Sequence, residues 1–296
     1  MINRFKLKLY VPSLDDRVYF DELKNFYLLN ILKFTTNKDS KGLAEYFEYV
    51  IRDLIQDKSL FHQLDSFDKF IILLQFKAIN INPELKFKIN VKDESKVLAY
   101  DIFQEIKNLT EAKLVKEKVL KIDHNFSVHL SIPLKLYIEN FDDVFLNCIK
   151  FVKIDDQSFS FDALTDDEQN QIFESISGSF LNQIMEFLNE SKKSCQNVNF
   201  LKVNNYIEEL NSLKLDFFNN SMLGFLELIY SEDLKNLFEL IYVLINKVKL
   251  GLTEFYDLVP SESLLLYALY AKDVKTQNEE MEKSTKKSSI PLQTSP

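Results

Sequence analysis

The chain has 296 residues but only four glycines, at positions 42, 178, 224 and 251. A phosphate-binding loop needs a glycine five residues before a Gly-Lys pair, and the dinucleotide fingerprint needs Gly-x-Gly. These positions can write neither. Two cysteines (Cys148, Cys195) and three histidines (His62, His124, His129) form no Cys-x-x-Cys and no His-Glu-x-x-His. A structural zinc site draws four such ligands together at short spacings. Ser177-Gly178-Ser179 is not a nucleophile elbow, which needs Gly-x-Ser-x-Gly between a strand and a helix, and reads as a kink in a helix.

Arginine is also scarce. It stands only at 4, 17 and 52 among 36 basic residues, and the net charge is -9. Arginine forks onto phosphates and guanine edges, and phosphate neutralisation dominates nucleic-acid binding. No nucleic-acid partner is therefore expected. No run approaches the ~18 apolar residues of a membrane span, so no membrane is expected either. Met1 to Lys8 lacks the apolar stretch of a signal peptide. With two cysteines, that points to a reducing cytoplasm.

What the chain does have is a globular balance, 46% hydrophobic and 27% charged, enough for one large domain or two small ones. Residues 4–11 alternate through Phe5, Leu7, Leu9 and Val11, as a half-buried strand does. Tyr19 to Phe34 is apolar with helical spacing. Leu43, Phe47, Val50, Ile51 and Leu54 form the stripe of a second helix. Ser66 is positioned to cap a third. Leu85, Phe87, Ile89 and Val91 alternate with Lys86, Lys88, Asn90 and Lys92. Residues 97–120 read as helix. Phe126, Val128, Leu130 and Ile132 alternate again, and a hairpin follows, turning at Asp155-Asp156. Thr165-Asp166-Asp167-Glu168 is a capping box, opening a helix with the stripe Ile172, Ile176, Phe180, Ile184 and Leu188 that Gly178 bends or breaks. Residues 191–199 read as a linker, and the chain beyond shows no strand signal. There Ser231-Glu232-Asp233 looks like a cap, Gly251 a stop, and Pro260 the start of a last helix to about Ala271.

The predicted fold class is α+β, mostly helical. Residues 1–190 hold a small antiparallel sheet with strands near 4–11, 84–92, 125–133 and 148–161. Residues 199–271 form an all-helical part. Residues 272–296 carry almost no apolar side chains and are expected to lack order.

Few constellations suggest chemistry. His124 and His129 have only Asp123 nearby, and His129 shares the polar side of its strand with Ser127 and Ser131. No metal or cofactor is expected. Cys148 reads as a buried structural thiol. The acidic pairs Asp15-Asp16, Asp142-Asp143, Asp155-Asp156, Asp166-Asp167 and Glu208-Glu209 suit turns and caps. A carboxylate-dependent hydrolase, the alternative from another function class, would need two of them to converge across a cleft. The stronger feature is the aromatic load of 26 Phe and 13 Tyr. Phe217, Phe218, Phe225, Tyr230, Phe238 and Tyr242 crowd the helical part. They are the candidate partner surface.

The order of segments carries a family likeness. Tyr19-Phe20-Asp21-Glu22-Leu23-Lys24-Asn25-Phe26 opens a helix, and Leu64-Asp65-Ser66-Phe67-Asp68-Lys69-Phe70-Ile71-Ile72-Leu73-Leu74 opens another. Cys148-Ile149-Lys150-Phe151-Val152-Lys153-Ile154 then precedes Leu164-Thr165-Asp166-Asp167-Glu168, and Leu237-Phe238-Glu239-Leu240-Ile241-Tyr242 comes last. Over residues 1–271 this resembles the baseplate hub assembly proteins of T-even-like bacteriophages. The resemblance implies a non-enzymatic, chaperone-like assembly factor for the central hub of a contractile tail, with no catalytic residues. Its partners would be other hub proteins, and its place the cytoplasm of the infected host. A stoichiometric subunit in the virion baseplate is the alternative. No oligomeric state is implied.

Overall fold

The computed structural model describes residues 6–91, 94–122, 124–155, 157–175, 177–201 and 213–288. Its centre is set by one helix. α3 (Ser66–Asn80) carries apolar side chains on every side and is buried along nearly its whole length, as a helix with no polar face must be. Asp65 caps it, rather than Ser66. The Asp65 side chain accepts the Asp68 N–H at 2.8 Å, and the Asp68 side chain accepts the Asp65 N–H at 3.2 Å. The Ser66 N–H goes instead to the Pro133 carbonyl. Gln75 and Lys69, polar side chains of α3, are buried with partners. Gln75 accepts the Tyr10 N–H and donates to the Tyr10 carbonyl, so a side-chain amide completes the edge of the first strand. Lys69 donates to the Leu134 carbonyl at 2.7 Å.

β1 (Leu7–Val11) pairs antiparallel with β2 (Asp16–Phe20) across a turn that puts Asp15 at φ 47°. Residues 4 and 5 of the predicted strand, including Phe5, lie outside the described residues. Tyr19 and Phe20, expected in a helix, belong to β2 because they register with Lys8 and Leu7. The helix α1 starts at Asn25 and ends at Thr36, and α2 spans Ser40–Leu54 as its stripe predicts.

β3 (Glu84–Val91) follows the predicted alternation; Lys92 lies outside the described residues. The helix expected over 97–120 is instead three elements: β4 (Glu94–Asp101), α4 (Ile102–Thr110) and β5 (Glu117–Lys121). Cross-strand pairing of Val97 to Tyr100 with Lys88 to Leu85 overrides local helical spacing. Asp101 then starts the helix by accepting the Phe103 and Gln104 N–H groups. β5 joins β6 (Phe126–Ser131), β7 (Ile149–Ile154) and β8 (Gln157–Ser160) in a four-stranded antiparallel sheet in chain order. A short helix, α5 (Phe141–Asn147), sits before β7. The hairpin turn uses Asp155 at φ 52°; Asp156 lies outside the described residues.

The capping box forms as read: Thr165 N–H to Glu168 at 2.8 Å, and Glu168 N–H to the Thr165 hydroxyl at 3.4 Å. The helix does break near Gly178, into α6 (Asp166–Ser175) and α7 (Gly178–Gln196). Ile176 of the stripe lies outside the described residues. The expected linker at 191–199 is mostly the end of α7. Ser191 donates to the Val115 carbonyl and Ser194 accepts the Val115 N–H, which fixes that turn to the segment before β5. A two-residue ladder follows that the sequence does not announce, β9 (Asn199–Phe200) with β10 (Leu213–Lys214).

α8 (Ser221–Asn246) runs unbroken through Ser231-Glu232-Asp233. The Ser231 hydroxyl bonds back to the Leu228 carbonyl instead of capping. Gly251 does not stop this helix. Lys249 takes the left-handed conformation there, at φ 67°, and Gly251 caps α9 (Leu252–Asp257), its N–H held by Glu254 at 2.9 Å. α10 starts at Pro260 as predicted but continues to Ser288. Order therefore reaches well into the tail expected to lack it. Extending an existing helix needs no new nucleus, and Lys275, Glu279 and Lys283 recur at the i,i+4 spacing that supports an exposed helix. Residues 289–296 lie outside the described residues.

One hydrophobic cluster runs from Leu9 to Phe255. α8 packs on α1, α2 and α3, so the part predicted as 199–271 shares the core of residues 1–190. Asn25 ties the two ends together: it is fully buried and donates to the Phe255 carbonyl at 2.9 Å and to the Ser263 hydroxyl at 2.6 Å. Asn25→Ala takes the side-chain donor from that hydroxyl and from that carbonyl, which keeps only the Leu258 N–H at 3.3 Å. It is expected to cost about 1–3 kcal/mol in urea unfolding.

Candidate interaction surface

The six candidate aromatic residues divide into two groups. Phe217, Phe218, Phe225 and Tyr230 are buried. They are core, and this corrects the expectation that they face a partner. The reason is α3, whose every side needs cover. The Phe217 ring stands edge-on to Phe67 and Phe70, each at 5.7 Å. Phe225 lies 5.2 Å from Phe200 and 6.1 Å from Phe70. The Tyr230 ring lies tilted against Phe47 at 5.2 Å, and its hydroxyl donates to the Leu73 carbonyl at 2.8 Å.

Phe238 and Tyr242 are the opposite case, 62% and 59% exposed. They lie four residues apart on α8, one above the other on a single face. More exposed apolar side chains follow on α9 and α10: Leu252, Tyr256, Leu264, Leu265, Tyr267 and Leu269. Sequence reasoning missed these, although the signal was available. Residues 264–270 read Leu-Leu-Leu-Tyr-Ala-Leu-Tyr, apolar around a full helical turn, while Ser263 is buried, Leu266 packs on the core and Tyr270 is half-buried.

The other candidates sit where structure needs them. Asp15 accepts the Tyr10 hydroxyl and Asp16 the Arg17 N–H, both in the β1–β2 turn region. Asp143 accepts the Glu139 N–H, and Asp166 and Asp167 open α6. Asp156, Glu208 and Glu209 lie outside the described residues. An apolar groove of about 450 Å³ between the sheet and α6 is lined by Phe126, Ile154, Phe159 and Ile172, with Glu168 as its carboxylate. That carboxylate is held by Thr165. A second cleft, of about 170 Å³, contains Glu48, Lys69, His62 and Asp143. Glu48 there accepts the Leu136 N–H at 2.8 Å and pairs with Lys69 at 3.4 Å. Neither cleft joins two of the paired acids.

Cys148 and Cys195 are both free and buried. Burial pushes the Cys148 thiol well up, and the Cys195 thiol up to about 12, which keeps both in the unreactive thiol form. His124 is exposed and His129 half-buried; Asp123 lies outside the described residues. Among the described residues no cluster of three His, Cys, Asp or Glu side chains could hold a metal ion. None of their helices is long and apolar enough to cross a membrane.

Residues 5–213 match the family described as T4 bacteriophage base plate protein. The chain belongs to that family. The match covers the α+β region through α7 and the β9–β10 ladder. It ends at Leu213 rather than reaching residue 271, so α8, α9 and α10 of this base plate family member lie beyond the matched part. Comparison with curated proteins and with solved structures returns no match. Membership places the chain among phage baseplate proteins, with other baseplate proteins as its partners.

Proposed function

We propose that this baseplate protein is a non-enzymatic assembly factor for the central hub of a contractile phage tail. It works by docking, in the cytoplasm of the infected bacterium. The observation that carries this reading is the exposed pair Phe238 and Tyr242 on α8. Two large rings left in water on one helix face are what a partner pocket would bury, with charged neighbours such as Glu239 forming a polar rim. Aromatic anchors of this kind dominate binding energy at interfaces.

The test is co-expression with the other hub proteins of the same phage. The wild-type chain is expected to co-purify with one of them. Phe238→Ala with Tyr242→Ala is expected to weaken that complex by about thirtyfold per ring removed, or about 2 kcal/mol each. Circular dichroism should not change, because both rings are exposed. A complex that forms equally well with the double variant removes the surface from consideration. Absence of any hub complex removes the function. Mass spectrometry of purified virions separates a transient factor from the alternative, a structural subunit, since only a subunit is retained at stoichiometric level.

A further inference from the structure

α10 is longer than its own core requires. Its first turns are anchored: Ser263 is buried against Asn25, Leu266 packs on the core, and the Val259 N–H is held by Glu262 at 3.0 Å. From Ala271 to Lys283 every residue is exposed except the half-buried Val274. Those 13 residues extend the helix by about 20 Å.

The pattern that runs from the first turns into this extension is not random. Leu264, Tyr267, Ala271, Val274, Asn278 and Met281 recur at alternating steps of three and four. That is a repeat of 3.5 residues, the period of a left-handed coiled-coil seam rather than of a helix lying on a globular core. Leu264, Tyr267 and Met281 are 47%, 38% and 59% exposed. A single Asn at the equivalent of an a position, among apolar neighbours, is the device that fixes register and strand number in paired helices.

We infer that α10 pairs with α10 of a second copy of this chain, parallel and in register. Two features favour a second copy as the occupant. Asn278 meets its own equivalent only in that arrangement, so each amide gains a hydrogen-bonding partner; an antiparallel pair would set it against an apolar d-position residue such as Val274 or Met281. Charge permits it as well. The chain as a whole carries -9, yet α10 holds five acidic residues (Glu262, Asp273, Glu279, Glu280, Glu282) against five lysines (Lys272, Lys275, Lys283, Lys286, Lys287). Two copies of a neutral helix meet without the repulsion that the rest of the chain would impose. The flanking residues agree: the parallel pair sets Lys275 beside Tyr270 and Glu282 beside Gln277, with no like charges opposed. The inward face of α10, through Ser263 and Leu266, lies to one side of the seam. The twofold axis therefore carries the two globular bodies to opposite sides. This pairing is independent of the docking of Phe238 and Tyr242.

Sedimentation of the full-length chain over a concentration series tests the inference. A reversible dimer of the 34.9 kDa chain is expected. Val274→Asp with Met281→Asp should raise its dissociation constant by about a hundredfold or more, because charge is placed in the seam, while thermal unfolding of the globular part is unchanged. Asn278→Val should tighten association or shift it to a higher oligomer. Asn278→Cys should give a disulfide-linked dimer under mild oxidation, since Cys148 and Cys195 are buried. A monomer at all concentrations overturns the inference, as does a dimer untouched by the double aspartate variant. Failure of Asn278→Cys to cross-link an otherwise intact dimer overturns the parallel register.

Discussion

Phe70→Ala is expected to destabilise the protein by about 3–5 kcal/mol, the range for removing a fully buried phenylalanine. Phe70 has no solvent exposure. Its ring lies 5.7 Å from Phe217, 5.9 Å from Phe200 and 6.1 Å from Phe225. Those three rings come from the segment before α8, from β9 and from α8. They reach α3 from parts of the chain more than a hundred residues away. Truncation therefore leaves a cavity where separate elements meet. Phe200 and Phe225 are already in contact at 5.2 Å. The edge-to-face contacts with Phe217 and Phe200 are lost as well. Urea unfolding measures the effect. The contrast is Phe238→Ala, on an exposed ring, which should stay within about 0.5 kcal/mol of wild type. A small loss at Phe70 would mean that α3 is not the centre of the core.

That contrast also shows where the sequence was legible. Strict alternation located β1, β3, β6 and the β7–β8 hairpin; in β1 and β6 the apolar positions Leu9, Val11, Val128 and Leu130 are the buried ones, while β8 is an exposed edge found by its turn and alternation alone. The Thr165 box and the Pro260 start were legible because capping is chemistry between near neighbours. The errors arose where distant pairing decides the outcome. Val97 to Tyr100 have helical neighbours in sequence, but their hydrogen-bond partners are Lys88 to Leu85. β9 and β10 are too short to show a period. For the aromatic residues, composition gave the excess without the sorting. Phe225 and Phe238 both sit on α8, yet only the first faces α3, and nothing local distinguishes them. Family membership was legible from the order of segments through α7. The matched region stops at Leu213, so the likeness read into Leu237 to Tyr242 is not part of it.

Asp65→Asn is expected to stabilise the protein progressively as pH rises. Asp65 is fully buried at the start of α3. One carboxyl oxygen accepts the Asp68 N–H, and the other is buried without a hydrogen-bond partner. Burial first, and then the neighbouring Asp68 carboxylate, push the Asp65 carboxyl up, to about 8. The direction of linkage follows from that rise. Below the unfolded value, 3.8, both states hold the proton and stability is at its fullest. Above it the unfolded chain releases the proton while the folded chain keeps it. Stability then falls with pH by at most about 1.4 kcal/mol per unit. The fall ends once pH has passed through the folded value and both states are ionised. Asparagine is neutral throughout, keeps the oxygen that caps α3, and places an amide where the proton resides. Wild type and variant should therefore be closest near pH 4 and diverge toward pH 8, with the variant more stable. Urea unfolding at intervals between pH 5 and 9 reads the divergence directly. Parallel curves for the two proteins would show that Asp65 is ionised in the folded state across that range, and that the lysines near it, Lys116 and Lys150, outweigh its burial.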